Sequence, residues 1–140
     1  EADVAYLAKR PVNQLSGGER ARAMLARALA VESAVLLADE PVAGLDPAHS
    51  LDVMAVLRAR ARAGAAIAVV VHDLTLGARH CDRLVLMADG KILAEGPPER
   101  VLNDANLARA SHIRAHHGSA EGQPYIIPLA RTRPDRGVQP

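Results

Sequence analysis

The chain has 140 residues, of which 17 are Lys or Arg and 16 are Asp or Glu, and its net charge is +1. This length supports one ordinary hydrophobic core, so we expect one domain or part of one. The near-neutral charge excludes a broad basic surface for nucleic acid. A single cysteine, Cys81, excludes an internal disulfide, and the longest apolar run, residues 65 to 71, is too short to cross a bilayer.

The first predicted helix begins at a short polar motif. Residues 1 to 13 are predicted to form a partly helical lead-in, and Ser16-Gly17-Gly18-Glu19 follow it. This tetrapeptide matches a capping box, in which the Ser16 hydroxyl accepts from the Glu19 amide and the Glu19 carboxylate accepts from the Ser16 amide. The amides of Gly17 and Gly18 at a helix N-terminus also favour phosphate binding. Both interpretations can hold, because the capping hydroxyl keeps a proton to donate.

The helix itself, residues 19 to 30, has one apolar stripe that we expect to face the core. Its members are Ala21, Met24, Leu25, Ala28 and Leu29. For Met24 we expect a core position rather than a ligand role. The arginines of the helix lie largely off the stripe, where solvent is their expected environment.

Two adjacent carboxylates follow the next apolar segment. Residues 35 to 38 are predicted to form a buried parallel strand that ends at Asp39 and Glu40. Open α/β sheets bind ligands at this edge. An aspartate there can hold Mg²⁺ beside phosphates, and a following glutamate can deprotonate a water molecule. The alternative is a plain transition from strand to turn, helped by Pro41 and Gly44.

A second strand is predicted to run parallel to the first. Asp46 and Pro47 suit the N-cap and N1 positions of a helix to about Ala63, so simple capping is one interpretation of Asp46. Residues 65 to 71 are again continuously apolar. A right-handed unit of strand, helix and strand would place His72 at the same edge as the two carboxylates. Taken alone, a histidine after a strand is more often structural than functional.

Together these motifs resemble those of the ATP-binding subunits of ABC transporters. Leu15 to Glu19 resembles the family's signature motif, and Val35 to Glu40 resembles its Walker B strand. Ala43 to Asp46 resembles the D-loop, and His72 resembles the switch histidine. The resemblance covers roughly residues 5 to 105, and the four motifs occur in the family's order.

The resemblance implies an ATPase that uses ATP and Mg²⁺ in a dimer. Asp39 would position Mg²⁺, Glu40 would act as general base and His72 would contact the γ-phosphate. Asp46 would help to couple the two nucleotide sites. The nucleotide of the second ATPase subunit would be bound by the signature residues Ser16, Gly17, Gly18 and Glu19. Glu19 stands where the family more commonly has glutamine.

The same resemblance implies partners and a location. Transmembrane permease subunits would bind the ATPase dimer at the cytoplasmic face of the cell membrane, and no nucleic acid is expected. The segment Gly-Gln-Pro-Tyr-Ile-Ile-Pro, residues 122 to 128, is similar to importers of iron chelates, haem and vitamin B12. Import of such a compound is therefore the expected task.

The last elements are predicted to be a hairpin and two short helices. Residues 83 to 88 and 91 to 95 are predicted strands around Asp89-Gly90, which is a strong hairpin signal. Short helices are predicted up to Leu102 and from about residue 105 to 110. By resemblance, residues 1 to 110 would be the C-terminal part of an ABC ATPase domain.

Residues 111 to 140 are rich in Gly, Pro and Arg and are predicted to be a surface tail, with Tyr125 to Ile127 as one strand-like island. His112 and His116 have the spacing of metal ligands on a helix. Apart from Glu121, no cysteine or acidic helical partner lies nearby in the sequence. We therefore predict no metal site in the tail.

The predicted fold is α/β, a P-loop NTPase-like parallel sheet with flanking helices that ends in a β-hairpin and short helices. It is expected to be incomplete, because the phosphate-binding sequence Gly-x-x-x-x-Gly-Lys-Ser/Thr is missing. The chain has two lysines, Lys9 and Lys91, and neither lies in such a sequence. We therefore expect the C-terminal portion of an ATPase, inactive by itself.

Two other functions stay open. An ABC ATPase that works without a membrane subunit would share the same motifs, although the compact run from His72 to Leu102, without a coiled-coil insertion, favours transport. The other alternative is a truncated or regulatory product without catalytic activity.

Overall fold

The computed structural model describes residues 4–132. The chain divides into two compact units, residues 1–72 and 73–140. We call them the N-terminal unit and the C-terminal unit and describe each by itself. No helix within residues 4–132 has the length and apolar content to cross a membrane.

The N-terminal unit contains a parallel unit of strand, helix and strand. Two short 3-10 turns, Ala5–Leu7 and Val12–Gln14, precede α1 (Gly17–Leu29). After α1 the chain forms β1 (Val35–Asp39), α2 (Pro47–Arg62) and β2 (Ala66–Val70). The two strands are parallel and in register from the pair Val35 and Ala66 to the pair Asp39 and Val70. This confirms that their carboxyl ends lie at one edge.

Helix α2 provides most of the buried side chains of this unit. It contacts both α1 and β2. The buried apolar residues of the unit are Leu7, Leu25, Leu29, Val53, Met54 and Leu57. The core therefore lies between the helices and one face of the sheet.

The other face of the two-stranded sheet differs from the prediction. Both strands alternate between half-buried and exposed residues rather than being buried on both faces. Leu37 is 78% exposed, and Val35 and Val70 are also exposed. Both faces of the sheet carry apolar side chains, as the sequence predicts. Within the described residues, helices of this unit cover only one of these faces.

Met24 corrects a second expectation, since its side chain is exposed rather than in the core. Helix α1 buries Leu25 and Leu29, which are one turn apart on one stripe. Met24 precedes Leu25 by one residue and is therefore turned away by about 100° around the helix axis. The buried stripe of α1 is narrower than its apolar pattern suggests.

The C-terminal unit begins with α3 (Leu74–His80) and the predicted hairpin. Strands β3 (Leu84–Ala88) and β4 (Lys91–Gly96) pair antiparallel, with an irregularity after Leu86. Asp89 and Gly90 both have positive φ, as a two-residue hairpin turn requires. Helices α4 (Pro98–Val101) and α5 (Asp104–Ser111) follow, so the predicted hairpin and short helices are confirmed.

The predicted surface tail is wrong for residues 113–131, which form a second hairpin. Strands β5 (Ile113–Ala120) and β6 (Gln123–Arg131) pair antiparallel around a turn at Glu121 and Gly122. The hairpin packs on α3 and α5. Residues 133–140 of the predicted tail lie outside the described residues.

Hydrogen bonds from α3 explain why this stretch is ordered. The Thr75 hydroxyl donates to the Ile126 carbonyl at 3.1 Å and accepts from the Ile126 amide at 2.9 Å. Arg79 Nε donates to the Pro124 carbonyl at 2.7 Å. Side chains of the hairpin then complete one buried cluster with the short helices, formed by Val101, Leu102, Leu107, Ala115 and Ile126.

Candidate functional site

The carboxyl ends of β1 and β2 bring acidic and imidazole side chains to one edge. Asp39 is the last residue of β1 and pairs with Val70, the last residue of β2. The Glu40 amide donates to the Val70 carbonyl at 3.2 Å and so extends the pairing by one residue. Asp39, Glu40 and His72 are all exposed, so a ligand can reach them from solvent.

Glu40 and His72 are in direct contact. The distance between His72 Nε2 and Glu40 Oε1 is 2.8 Å, and the two side chains are 80% and 46% exposed, respectively. A carboxylate can only accept, so His72 donates from Nε2 in this contact. The arrangement fixes a carboxylate that can take a proton from a bound water molecule, with a hydrogen-bond donor beside it.

The backbone at Glu40 is unusual. Its φ is 46°, in the left-handed region that a residue other than glycine rarely adopts. The Glu40 carbonyl accepts from the Ala43 amide at 3.0 Å, so a turn starts directly at the strand end. Backbone strain of this kind tends to occur where a side chain has to be held in a functional position.

The capping box predicted at α1 is confirmed. The Glu19 amide donates to Ser16 Oγ at 3.3 Å, and the Ser16 amide donates to Glu19 Oε2 at 2.9 Å. Arg10 Nη1 donates to the other carboxylate oxygen, Oε1, at 3.2 Å. The hydrogen bond from the Ser16 amide is the largest cause that lowers the pKa of Glu19. Both oxygens of Glu19 thus have partners within the chain.

The glycines of this motif lie beside the segment before α2. A Cβ atom on Gly18 would stand 3.5 Å from Leu45 Cδ2, and a Cβ atom on Gly17 would meet nothing within 4 Å. The structure therefore brings the N-terminus of α1 next to the residue that precedes Asp46. The absence of a side chain at Gly17 permits a close approach to the backbone.

Asp46 is the N-cap of α2, as predicted. Its Oδ1 accepts from the His49 amide at 3.0 Å, and its Oδ2 lies 2.5 Å from His49 Nδ1. The amide of His49 first, and then its ring, lower the pKa of Asp46. The structure adds His49 to the site. In the sequence, the only indication of this contact is the spacing of three residues between His49 and the N-cap aspartate.

Two pairs of predicted site residues are in direct contact. Glu40 contacts His72 at the sheet edge, and Ser16 contacts Glu19 in the capping box of α1. Within residues 4–132, no group of three or more His, Cys, Asp or Glu side chains could hold a metal ion. His112 precedes β5 and His116 lies within it, so they do not have the helical arrangement that their spacing suggested.

Comparisons with known proteins fit this arrangement of motifs. The family model described as ABC transporter matches residues 1–43, which include the capping box and the two carboxylates after β1. The hemin import ATP-binding protein HmuV of Rhodococcus jostii is 49% identical over 107 residues, 76% of this chain and 37% of the relative. The protein of the same name from Streptomyces coelicolor is 52% identical over 106 residues, 76% of this chain and 38% of the relative.

Over most of its length the chain is similar to ATP-binding proteins of ABC transporters. A third HmuV relative, from Bordetella pertussis, is 42% identical over 143 residues, 94% of this chain and 54% of the relative. The chain thus spans 37% to 54% of the length of these curated relatives.

Solved structures place the fold in the same family. An inward-facing transporter described as of the metal-chelate ABC type aligns with a TM-score of 0.81 at 24% identity, over 92% of this chain and 53% of that chain. At this identity it shows the fold alone. A dimeric ATP-binding cassette bound to ADP and Pi aligns with a TM-score of 0.57 at 33% identity, over 61% of this chain and 37% of that chain. The predicted α/β fold of an ABC ATPase is confirmed.

Proposed function

We propose that this chain supplies the water-activating side of an ATP site in an ABC transporter ATPase. The observation that carries the proposal is the 2.8 Å contact between Glu40 and His72 at the carboxyl edge of the parallel sheet. The names of the HmuV relatives support import of hemin or a related iron chelate as the task of the complete ATPase.

In the proposed reaction Glu40 is the general base. It takes a proton from a water molecule while the water oxygen forms a bond to the γ-phosphorus, and the bond between the γ-phosphorus and the ADP oxygen breaks. His72 orients the Glu40 carboxylate through Nε2, and its proposed contact with the γ-phosphate would use the same N–H donor once nucleotide is bound. Both side chains are exposed, so the reaction requires closure of the site by other groups that exclude bulk water.

Asp39 is proposed to hold Mg²⁺. No set of three protein ligands exists in residues 4–132, but Mg²⁺ beside nucleotides usually has one or two carboxylates and completes its shell with phosphates and water. One exposed carboxylate at the end of β1 fits that pattern. The ion would neutralise charge on the phosphates.

The capping segment of α1 is proposed to bind the nucleotide of a second ATPase subunit. Glycine at positions 17 and 18 permits a phosphate to approach the backbone amides of this helix N-terminus closely. Ser16 and Gly18 would bind the phosphate together with Gly17. The Glu19 carboxylate instead accepts hydrogen bonds from Arg10 and from the Ser16 amide within the chain. Asp46 would couple the two sites. Permease subunits at the cytoplasmic face of the membrane would be the further partners.

The proposal is tested on an ATPase that carries both this chain and a phosphate-binding loop. Glu40→Gln is expected to lower kcat by about 10²- to 10⁴-fold, as for loss of a general base, while ATP still binds. Glu99→Gln, an exposed carboxylate at the start of α4, is the matched control and should retain full turnover. Unchanged turnover in Glu40→Gln would remove Glu40 from its proposed role.

Two further measurements separate the alternatives. The chain alone is expected to show no steady hydrolysis of Mg-ATP, and hydrolysis by the purified 140-residue chain would contradict the proposal that half of the ATP site lies elsewhere. Co-purification with permease subunits is expected from membranes of the source cell. Ribosomal or DNA partners would instead indicate an ABC ATPase that does not serve transport.

A further inference from the structure

His49 makes a two-point contact with the carboxylate of Asp46. The His49 amide donates to Oδ1 at 3.0 Å, and the His49 ring nitrogen Nδ1 lies 2.5 Å from Oδ2. An aspartate at a helix N-cap needs one of these bonds to cap the helix, namely the bond from a backbone amide. The ring contact adds a second, side-chain partner that capping alone does not require.

The backbone of Asp46 is also fixed. Its carbonyl accepts from the Ser50 amide at 3.0 Å and from the Ser50 hydroxyl at 2.9 Å, and Ser50 is buried. With the backbone held by Ser50 and both carboxylate oxygens held by His49, rotation of the carboxylate about its Cβ–Cγ bond is suppressed. Each carboxylate oxygen has two lone pairs, so each can still accept one more hydrogen bond.

We propose that His49 is a positioning residue that fixes the Asp46 carboxylate for its contact across the ATPase dimer. The inference rests on the proposed function, in which Asp46 couples the two nucleotide sites. A carboxylate held by the capping bond alone could turn its second oxygen away from a donor on the partner subunit. His49 removes that freedom before the subunits meet, so the contact forms without an additional ordering cost.

The chemistry of the contact specifies which replacements work. A carboxylate only accepts, so Nδ1 of His49 carries the proton in this contact. The side-chain amide nitrogen of asparagine is separated from Cβ by the same number of bonds as Nδ1 of histidine. The amide nitrogen of glutamine is one bond farther out. Asparagine can therefore replace the donor, whereas glutamine puts its donor in the wrong place.

The test uses the full-length ATPase with its permease subunits. His49→Ala is expected to lower kcat for ATP about 3- to 10-fold, with KM for ATP changed less than about twofold, because misplacing a group costs turnover more than nucleotide binding. His49→Asn should recover kcat to within about twofold of the wild-type value, and His49→Gln should not. His116→Ala, a histidine on the β5 strand, is the control and should have wild-type kcat.

A double variant shows whether His49 acts through Asp46. If it does, Asp46→Ala combined with His49→Ala will have the kcat of Asp46→Ala alone, since the two changes remove one interaction. If the two single changes instead multiply in their effects on kcat, the inference is overturned. A His49→Ala enzyme that loses thermal stability but keeps its kcat would also overturn it. The comparison of Asn with Gln decides the question even if the alanine variant does not fold.

The inference can fail separately from the proposed function. A wild-type complex without ATPase activity would overturn both. An active complex in which Glu40→Gln abolishes turnover, but His49→Gln and His49→Asn are equally active, would overturn this inference and leave the proposed function standing.

Discussion

The cores of the two units are built from different elements. In the C-terminal unit, short helices and both hairpins enclose one cluster, in which Leu107 has no exposed surface and Val101 is 1% exposed. In the N-terminal unit, helices cover one face of the sheet, and Leu37 on the other face is 78% exposed. An apolar run therefore predicts a strand, but it does not tell which of the two faces of that strand packs against other elements.

The proposed site residues all belong to the N-terminal unit. The capping box, the two carboxylates after β1, Asp46 and His72 lie within residues 4–72. The C-terminal unit contains none of the predicted site residues and encloses its own core. We therefore expect substitutions in the N-terminal unit to change chemistry and substitutions in the C-terminal cluster to change stability.

The largest expected effect compares two leucines. Leu107→Ala should lower the free energy of unfolding by about 2 to 5 kcal/mol, because it removes a fully buried side chain and leaves a cavity. Leu37→Ala is the same chemical change at an exposed position and should cost less than about 0.5 kcal/mol. Urea unfolding of both variants measures this difference. Equal costs would mean that the exposed face of β1 and β2 is covered in solution.

The next prediction concerns the hairpin that the sequence did not reveal. A Cβ atom on Gly118 would stand 2.2 Å from the ring of its cross-strand partner Tyr125, so Gly118→Ala requires the ring to move. We expect a loss of about 1 to 3 kcal/mol, as for other overpacked sites. Thermal unfolding checks it, with Ser119→Ala, the exposed neighbour, as control. In a Tyr125→Ala background the added methyl group should cost almost nothing, and an equal cost in both backgrounds would refute the explanation.

A smaller effect is expected at the contact between α3 and this hairpin. Thr75→Val keeps the shape of the side chain but loses both hydrogen bonds with Ile126, and should cost about 1 to 2 kcal/mol. Thr75→Ser keeps the hydroxyl and is the matched control. Hydrogen exchange at the Ile126 amide should become faster in the valine variant and stay near wild type in the serine variant. Similar exchange in both would show that packing, rather than the hydroxyl, holds the hairpin.

The difference between the two hairpins shows how far the sequence could go. Asp89-Gly90 is a favoured turn pair between apolar strands, and the hairpin around it was predicted correctly. Glu121-Gly122 adopts the same positive φ values, but glutamate is not a typical residue there, and Pro124 and Pro128 interrupt the strand pattern. What orders that hairpin is its contact with Thr75, about 50 residues away in sequence, which no local pattern reports.

The helix cap and the common strand edge were predicted better than the packing, for a physical reason. Capping boxes and strand ends are local, so the contacts of Ser16 with Glu19 and the common edge of Glu40 and His72 follow from short stretches of sequence. The exposure of Met24 depends on which neighbours α1 has, and helical periodicity alone does not supply them. His49 was missed because the spacing of three residues from an N-cap aspartate permits the ring contact but does not by itself indicate it.

The smallest expected effect is a dependence on pH that differs between the N-cap of α2, Asp46, and the N-cap of α5, Asn103. The pKa of Glu19 is lowered by the hydrogen bond from the Ser16 amide, and the pKa of Asp46 is lowered by the hydrogen bond from the His49 amide. These carboxylates therefore stabilise the N-terminal unit fully at pH values above their ordinary pKa values near 4. The contribution is lost as the pH falls through the lowered pKa values and the carboxylates become protonated. Asn103, which caps α5 by accepting from the Asn106 amide, does not titrate.

Amide hydrogen exchange between pH 6 and pH 3, corrected for the intrinsic rate, measures this difference. Protection of the His49 amide, which donates to Asp46, should fall over this range, while protection of the Asn106 amide should fall less. Asp46→Asn keeps an acceptor but removes the charge, so it should make the protection of the His49 amide independent of pH. Equal loss of protection at both amides would mean that acid unfolds the whole chain, because a local effect at the Asp46 cap would not change the protection of α5.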